Sequence, residues 1–443
     1  MGLFERLFGS SVKKEDQPQI PFGRYSDSYK SKSQYDAWDT AVKKFEQGSY
    51  LDSYRDFLNY LSDPSQNNLK MREENGEIFF ELIQGSKKVT GHANNKTVKA
   101  RAKVVHCNTL NVGFMRRLME KNYSLKYGRF ALDDDNDIVM LFDTYVVDCT
   151  PWKLYYALKE VANNADKQDD LLVDEFDMLT EINTSHITEI SDQEKEVKYQ
   201  FITDTIQTTL NRINGLDSVK FSGGIAYLLL YAFYKLDYLI RPEGFMMEML
   251  ERAHRTYFAR DNKSTDEKNR LLIQELETLL GRSKDDFFRE MYRVTATFGI
   301  TSPVNHDRVK NLIDGEINNM DWYINNDYPD IALSVPGYIA CYNLFNFAVP
   351  QPDRELFHLL IEIIEQPFFG SLGFTFNFYD SSAQKFDKSA IKREIQSIVK
   401  TNIGKFPKLN PDVGMLNYNS LPEFAKSFMM MVKDLDLSAP NNN

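Results

Sequence analysis

The sequence predicts an α+β N-terminal domain with an antiparallel sheet, followed by a mainly α-helical C-terminal domain. Within residues 69–147, apolar and polar residues alternate in short segments separated by turn residues, which is typical of half-buried strands. From Tyr199 onward, apolar residues recur at helical spacing instead. A strongly acidic stretch separates the two patterns. The chain has 443 residues, enough for two to four domains.

Residues 1–24 are predicted to be a flexible leader. Leu3, Phe4, Leu7 and Phe8 could form one apolar stripe of a short helix. The following residues are polar and include two prolines, which favours an irregular chain. The leader is either an unpacked terminus or a short helix that docks onto a partner or a membrane surface.

Residues 25–165 are predicted to form the α+β domain. A helix beginning near Tyr35 ends at Gly48, and a second helix covers Tyr50–Leu61. The following elements are three strands, a helix, two strands and a last helix, over Leu69–Glu74, Ile78–Ile83, Lys96–His106, Val112–Lys121, Leu125–Leu132, Ile138–Val147 and from Pro151 onward. The segment Lys87–His92 has only a weak strand pattern.

Turn and cap residues support this order of elements. Asn75-Gly76 favours a tight hairpin between the first two strands, because both residues tolerate positive φ. Thr150 is a candidate N-cap for the last helix, and Pro151 suits the first helical position, where its missing N–H costs nothing.

Residues 166–198 are predicted to be an acidic linker. Between residues 166 and 196 there are eleven acidic residues and two lysines, which accounts for most of the net charge of −11. Such a block is usually a solvated linker, although an acidic surface that mimics or repels a polyanion is the alternative.

Residues 199–370 are predicted to be the α-helical domain, and 371–443 a mixed C-terminal extension. The longest apolar run, Ile225–Ile240, is predicted to be a buried helix. In the extension, Phe374–Tyr379 alternates like a strand, and the final SAPNNN residues are predicted to be disordered.

Composition excludes several classes of function. The sequence pI of about 5.2 argues against nucleic-acid binding, which needs a basic face. Cysteine is sparse and odd in number, as expected for a reducing, cytoplasmic setting. The run Ile225–Ile240 contains Lys235 and Asp237 and is shorter than the roughly 20 residues that a transmembrane helix needs.

The sequence contains no motif that assigns a reaction. Its six histidines lie outside HExxH and HxH patterns, and GxSxG, GxxxxGK[ST] and GxGxxG are all missing. Asp133, Asp135 and Asp137 alternate as calcium ligands do, but the flanking strands favour an acidic hairpin turn instead. We therefore assign no catalytic residue, no metal ligand and no cofactor, and an enzyme is the less favoured class.

Residues 50–165 resemble the YbjN-like proteins and the class I type III secretion chaperone fold. The order of helices and strands is similar, and the resemblance is greatest over Tyr123–Asp166. That stretch has a strand ending in RFAL, an acidic turn, an apolar strand, a Thr-Pro helix start and the helix end ANNAD. The resemblance implies a bacterial, non-enzymatic cytoplasmic module, often homodimeric, that holds an extended segment of another protein. Residues 199–443 resemble no family that we recognise.

The strand Ile138–Val147 indicates a sheet that is apolar on both faces. Ile138, Met140 and Phe142 point to one face, and Val139, Leu141 and Tyr145 point to the other. A second protomer, the helical domain or a client peptide would cover the second face. We predict a protein-binding surface on that face, formed by Phe79, Val139, Leu141 and Tyr145. We also predict a dimer or packing helix after the third strand, which presents Val112, Met115 and Met119.

A basic patch is predicted on one strand. It comprises Lys96, Lys99, Arg101 and Lys103, and no acidic residue occurs between positions 87 and 111. The patch is either a solvated face, protected by lysine against edge pairing, or a docking site for an acidic segment. That segment could be the chain's own acidic linker, which would make the contact autoinhibitory.

These observations favour a chaperone or adaptor that holds a partner protein on its sheet and helix surface. The expected partner is another protein, with a homodimer as a further expectation. One alternative is an enzyme with a small-molecule site in the helical domain, near Phe245–Met249 and Trp322–Tyr328. Another is a structural subunit of a larger assembly, anchored by its leader.

Overall fold

The computed structural model describes residues 17–182 and 187–438. The predicted leader stripe at Leu3–Phe8 and the predicted disordered end beyond residue 438 lie outside the described residues. The fold class is confirmed: an α+β region with an antiparallel sheet precedes a mostly helical region.

The α+β region begins with two helices that pack against each other. They are α1 (Lys32–Glu46) and α2 (Tyr50–Leu61). Ser31 starts α1 with a capping box, in which its side chain and that of Gln34 each bond the other residue's backbone. The bounds of α2 match the prediction.

The sheet is antiparallel throughout, and its described strands lie in the order β1-β2-β3-β4-β6-β5, with β7 paired to the end of β4. The strands and the intervening helix are β1 (Leu69–Glu74), β2 (Glu77–Gln84), β3 (Lys87–Ala93), β4 (Thr97–Cys107), α3 (Val112–Ser124), β5 (Arg129–Leu132), β6 (Asp137–Tyr145), α4 (Pro151–Glu175) and β7 (Leu179–Glu181).

The prediction of three strands before α3 is wrong, because the described residues form four there. The additional strand is β3, whose pattern is weakened by a lysine and a glycine at inward positions. Lys87 is fully buried, and its ammonium group is tolerated there because it pairs with Asp169 of α4 at 2.6 Å. Gly91 lies opposite Phe80, whose ring occupies the space that a Cβ at residue 91 would need.

Helix α4 packs across one face of the sheet, which we call the inner face. Thr150 caps it by accepting the backbone N–H of Lys153 at 3.2 Å, and Pro151 occupies the first turn, as predicted. The inner-face side chains and the apolar side of α4 form one core, which includes Phe80, Val89, Met140, Phe142, Leu154, Leu158 and Val161.

The prediction of an acidic linker over 166–198 does not match the structure at either end. Helix α4 continues to Glu175, and a new helix, α5 (Asp192–Asn214), begins well before residue 198. The acidic residues fold because they find cationic partners: Asp169 pairs with Lys87, and Asp174 pairs with Arg282 at 3.0 Å. His186 and its neighbours from residue 183 lie outside the described residues.

The remaining region is mostly helical. Two nearly all-round buried helices, α6 and α12, pack against each other at its centre. After α5, the helices are α6 (Ser222–Ile240), α7 (Gly244–Tyr257), α8 (Thr265–Leu280), α9 (Lys284–Arg289), α10 (His306–Glu316), α11 (Met320–Asn325), α12 (Pro329–Asn346), α13 (Gln351–Ile364), α14 (Gln366–Ser371), α15 (Lys388–Asn402) and α16 (Leu421–Lys433). Two-residue strand pairs join the loops, at Thr188–Glu189 with Tyr292–Arg293, Ser302–Pro303 with Phe347–Ala348, and Tyr379–Asp380 with Lys385–Phe386.

The predicted strand over Phe374–Tyr379 is largely absent from the described residues. Its alternation has another cause, because Phe374, Phe376 and Phe378 form a chain of ring contacts that packs against the helical core. Only Tyr379 pairs as a strand residue, together with Asp380.

The two regions are in direct contact, and part of the predicted leader belongs to this contact. Phe298, from the loop after α9, packs into the core of the α+β region. Residues 17–24 are attached to the helical region: Gly23 donates its backbone N–H to Tyr238 at 2.8 Å, and Arg24 pairs with Asp237 at 2.6 Å. The prediction of a flexible leader is therefore wrong for residues 17–24.

In the described part of the chain, every helix is too short or too polar to cross a bilayer.

Candidate protein-binding surface

The face of the sheet opposite α4, which we call the outer face, is open to solvent at its centre. Strand pairing places its side chains in two neighbouring rows. One row runs Arg72, Phe79, His92, Lys99 and Asp143. The next row runs Glu81, Thr90, Arg101, Leu141 and Arg129. Glu81, Thr90, Lys99 and Asp143 are exposed, so these rows form a surface rather than a core.

A half-buried ring and an aliphatic side chain form the floor of this surface. Phe79 stacks on His92 with ring centroids 4.6 Å apart, and the Arg72 guanidinium lies over the Phe79 ring at 4.4 Å. Leu141 lies on the same floor, and the two side chains line a concave cavity of about 520 Å³. Apolar surface in a shallow cavity, surrounded by cations, can hold an apolar side chain of an acidic segment.

The predicted binding residues lie on one face, as the alternation of the strand requires, but they differ in exposure. Phe79 and Leu141 line the cavity. Tyr145 is 68% exposed at the end of its row, whereas Val139 is only 1% exposed and offers no contact surface. Ile138, Met140 and Phe142 belong to the core on the inner face, as predicted.

The predicted basic patch has two parts with different electrostatics. Arg101 pairs with Asp133, and Lys103 pairs with Asp137 at 2.5 Å, a hydrogen bond that raises the pKa of Lys103. Lys96 and Lys99 are exposed and have no ion-pair partner among the described residues. The unpaired part of the patch therefore borders the cavity at Lys99.

The acidic turn between β5 and β6 neutralises Arg101 and Lys103. Asp133 accepts the backbone N–H groups of Asp135 and Asp137, which folds the turn. Carboxylate oxygens of these three residues lie within 4.8 Å of one another, a grouping that could hold a cation. Each already faces a protein cation, however, because Arg101 pairs with Asp133 and Lys103 approaches both Asp135, at 3.4 Å, and Asp137.

The structure does not place the acidic segment 166–196 on the basic patch. Its carboxylates pair elsewhere, for example Asp169 with Lys87 and Glu194 with Lys198 at 3.0 Å. Arg101 and Lys103 therefore pair with the acidic turn and not, as the autoinhibitory prediction required, with the segment 166–196. The turn lies close in sequence to the strands that carry the patch. The exposed part of the patch stays available for another acidic segment.

The predicted dimer or packing helix has an exposed apolar side. Val112, Met115 and Met119 are 82%, 44% and 72% exposed, while Phe114 and Leu118 on its other side are buried. The exposed side chains do not pack within the described residues, so the packing role is wrong and the dimer role stays a prediction. The helix contacts β5, the edge strand of the sheet.

His92, Arg72 and Arg129 complete the outer face, and sequence reasoning missed all three. His92 lies on the strand with the weak pattern, so its row was not recognised. The signal that could have found it is the register itself: two antiparallel hairpins place Phe79, His92 and Lys99 side by side.

A second group of ionisable residues that the sequence did not reveal lies between the two regions. Asp166, Asp169 and Asp170 of α4 are near Glu243 and Glu290 of the helical region, and Lys87 neutralises part of their charge. Burial raises the pKa of Glu243 to about 7 and that of Glu290 to about 8. The carboxyl groups of Glu243 and Glu290 therefore change protonation near neutral pH, above the usual range for glutamate.

No protein-family model matches this sequence, and a search of curated proteins finds no relative. The resemblance to YbjN-like proteins and type III secretion chaperones therefore stays a prediction from the sequence.

Proposed function

We propose that this protein is a non-enzymatic adaptor or chaperone that holds an acidic segment of a partner protein on the outer face of its sheet. The observation that carries the proposal is the cavity over Phe79 and Leu141, bordered by the unpaired cation Lys99. The chain has a net charge of −11, and Lys99 is a cation without an ion-pair partner among the described residues beside this apolar floor.

Charge complementarity selects the partner segment. Among the described cations of the two rows, Arg72 pairs with Glu74, Arg101 with Asp133 and Arg129 with Asp143, so the surplus positive charge is that of Lys99. An acidic segment would be attracted by this surplus, and one apolar side chain would enter the cavity. Affinity would come mainly from the apolar anchor, and the charges would govern the association rate and specificity.

The test is photo-crosslinking from the centre of the outer face. The full chain carries a benzophenone amino acid at Thr90, which is exposed in the same row as Leu141, next to the row of Phe79. The matched control carries it at Lys310, exposed on α10 in the helical region. We expect one protein with an acidic segment to crosslink from Thr90 in native cells and not from Lys310.

The crosslinked protein must then bind in purified form. We expect Leu141→Asp to weaken binding at least about tenfold, since it places a like charge where the apolar anchor would lie. Equal crosslinking from Thr90 and Lys310, or unchanged affinity of the Leu141→Asp variant, would overturn the proposal.

A further inference from the structure

A cavity of about 200 Å³ lies at the junction of the two regions. Its walls come from the end of β2 and from α4 on one side, and from residues 23–25, the start of α7 and the loop 294–300 on the other. The volume equals that of about six or seven water molecules, which is the size of a small metabolite rather than of a protein segment. The cavity is separate from the outer face, because α4 packs on the inner face of the sheet.

Most of the charged side chains that line this cavity neutralise one another. Arg24 pairs with Asp237 at 2.6 Å and with Glu251 at 3.2 Å. Lys167 pairs with Glu251 at 2.7 Å and also contacts Glu248. These groups are therefore paired within the protein, and a ligand is not needed to balance them.

Three charged groups of the lining have no ion pair among the described residues. They are the guanidinium of Arg241 and the carboxyl groups of Glu243 and Asp166. The side chains of Arg241 and Glu243 also make no hydrogen bond in that part of the chain, whereas Asp166 accepts the backbone N–H of Ser86 at 2.7 Å. Burial raises the pKa of Asp166, and the nearby charge of Glu243 raises it further. The cavity therefore contains unpaired groups of both signs.

Arg241 lies at a position where an arginine side chain is unfavourable for the backbone. It ends α6 in the left-handed conformation, with φ 52°, which glycine or asparagine adopts with less strain. Its guanidinium is partly buried, and this burial lowers its pKa although Glu243 lies nearby. A strained position thus carries a cation whose N–H donors lack a partner in the described chain, which is the pattern of a ligand-binding residue.

Apolar side chains form much of the remaining lining. One of them, Met247, belongs to the segment Phe245–Met249 that the sequence indicates as a pocket wall. The loop after α9 supplies the others, which are Val294, Ala296, Phe298 and Ile300. A ligand in this cavity therefore meets charged groups of both signs together with apolar side chains.

From this combination we propose that the cavity binds a small zwitterion, an α-amino acid with an apolar side chain. Its carboxylate would pair with Arg241, its ammonium group with Glu243 and Asp166, and its side chain would contact the apolar lining. An anion without an ammonium group would meet the two carboxyl groups, and a cation without a carboxylate would meet the unpaired guanidinium. Only a ligand with both charges offers each group an opposite charge. The proposal is independent of the outer face and of its partner.

The experiment is calorimetric titration of the full chain with valine, leucine and methionine at about pH 8, where Glu243 is ionised. Each amino acid is compared with the amine that lacks its carboxylate and with the acid that lacks its ammonium group. For valine, these comparison ligands are isobutylamine and isovalerate. We expect saturable binding of at least one amino acid at one site, at least about tenfold tighter than that of either of its comparison ligands.

Two variants locate the site. Arg241→Gln and Glu243→Gln each remove one charge and keep a polar side chain, and each should weaken binding of the amino acid about tenfold or more. Arg260→Gln and Glu277→Gln make the same replacements at exposed positions of the described chain and should bind as the parent chain does. Circular dichroism establishes that each variant is folded.

Lack of saturable binding for all three amino acids up to about 10 mM would overturn the proposal. Equal binding of a comparison ligand, or unchanged binding in either cavity variant, would also overturn it. The comparison ligands test the same two charges on the unaltered chain, so they decide the proposal even where a variant does not fold.

Discussion

The two faces of the sheet are built from the same strands and follow opposite rules. On the inner face, Phe80 and Met140 are buried against α4, and the one lysine there, Lys87, is fully paired. On the outer face, Phe79 is half-buried and Lys99 is exposed. Neighbouring residues in sequence therefore have different tasks: one stabilises the fold and the next is available for binding.

This difference suggests substitutions in adjacent pairs, because each pair samples both faces with the same residue type. Phe79 and Phe80 form one such pair, and Lys87 and Lys88 form another. Backbone position is nearly constant within a pair, so a difference in outcome reports the environment of the side chain.

The largest effect is expected from the phenylalanine pair. Phe80→Ala empties the space over Gly91 and should lower the free energy of unfolding by about 3–5 kcal/mol. Phe79→Ala removes a ring that is half-exposed and should cost less than about 1.5 kcal/mol. Urea unfolding followed by circular dichroism measures both, and equal losses would contradict the assignment of the two faces.

The lysine pair tests the buried ion pair. Lys87→Met leaves the buried carboxyl group of Asp169 without its partner, so we expect a loss of about 3–5 kcal/mol. Lys88 lies 3.8 Å from Glu81 on the outer face, and Lys88→Met should change stability by less than about 0.5 kcal/mol. The double variant Lys87→Met/Asp169→Leu should recover most of the loss. If it is less stable than Lys87→Met, the pair has a different role.

The pH dependence of stability should have opposite signs in the two environments. The pKa values of Glu243 and Glu290 are raised to about 7 and about 8 by burial, so the folded chain holds protons there that the unfolded chain releases above about pH 4.5. Stability should therefore fall as pH rises from about 5 to 8, by up to about 1.4 kcal/mol per pH unit for each group.

For Asp137, at the start of β6, the pKa is shifted in the opposite direction, downward. Burial opposes the shift, but hydrogen bonds from Lys103 and His106 hold the pKa of Asp137 below its usual range. Its contribution to stability is therefore present above the unfolded pKa of about 4 and is lost as pH falls through the lower folded value. Thermal unfolding across pH 3–8 measures both effects. Glu290→Gln should flatten the fall above pH 5, and an unchanged fall would exclude Glu290 as its source.

Much of the fold could be predicted because its signals are local. The periodicity of Tyr50–Leu61 and the Thr150-Pro151 cap predict their helices from a few neighbouring residues. The alternation of Ile138–Phe142 likewise identifies the inner and outer faces before any strand pairing is known.

The remaining features depend on partners that are distant in sequence. Lys87 looks like a surface residue until Asp169, 82 positions later, is placed beside it. Asp166 and Arg241 line one cavity only in the folded chain, so that cavity has no local pattern. Sequence reasoning proposed Phe245–Met249 as a pocket wall; Met247 lines the cavity, whereas Phe245, Met246 and Met249 are buried in the core.

At Lys99 we expect a small effect on stability together with a salt-dependent effect on binding. Lys99→Glu should change the free energy of unfolding by less than about 0.5 kcal/mol, because the side chain is exposed and unpaired among the described residues. Lys310→Glu introduces the same charge change at another lysine that is exposed and has no ion-pair partner among the described residues, and is the matched control.

The most direct test of the binding account is the affinity of these two variants for the partner crosslinked from Thr90, measured at low and high salt. We predict that Lys99→Glu weakens binding at least about tenfold at low salt and less at high salt, while Lys310→Glu matches the parent chain. Equal affinities for the two variants would contradict the claim that the outer face binds the partner.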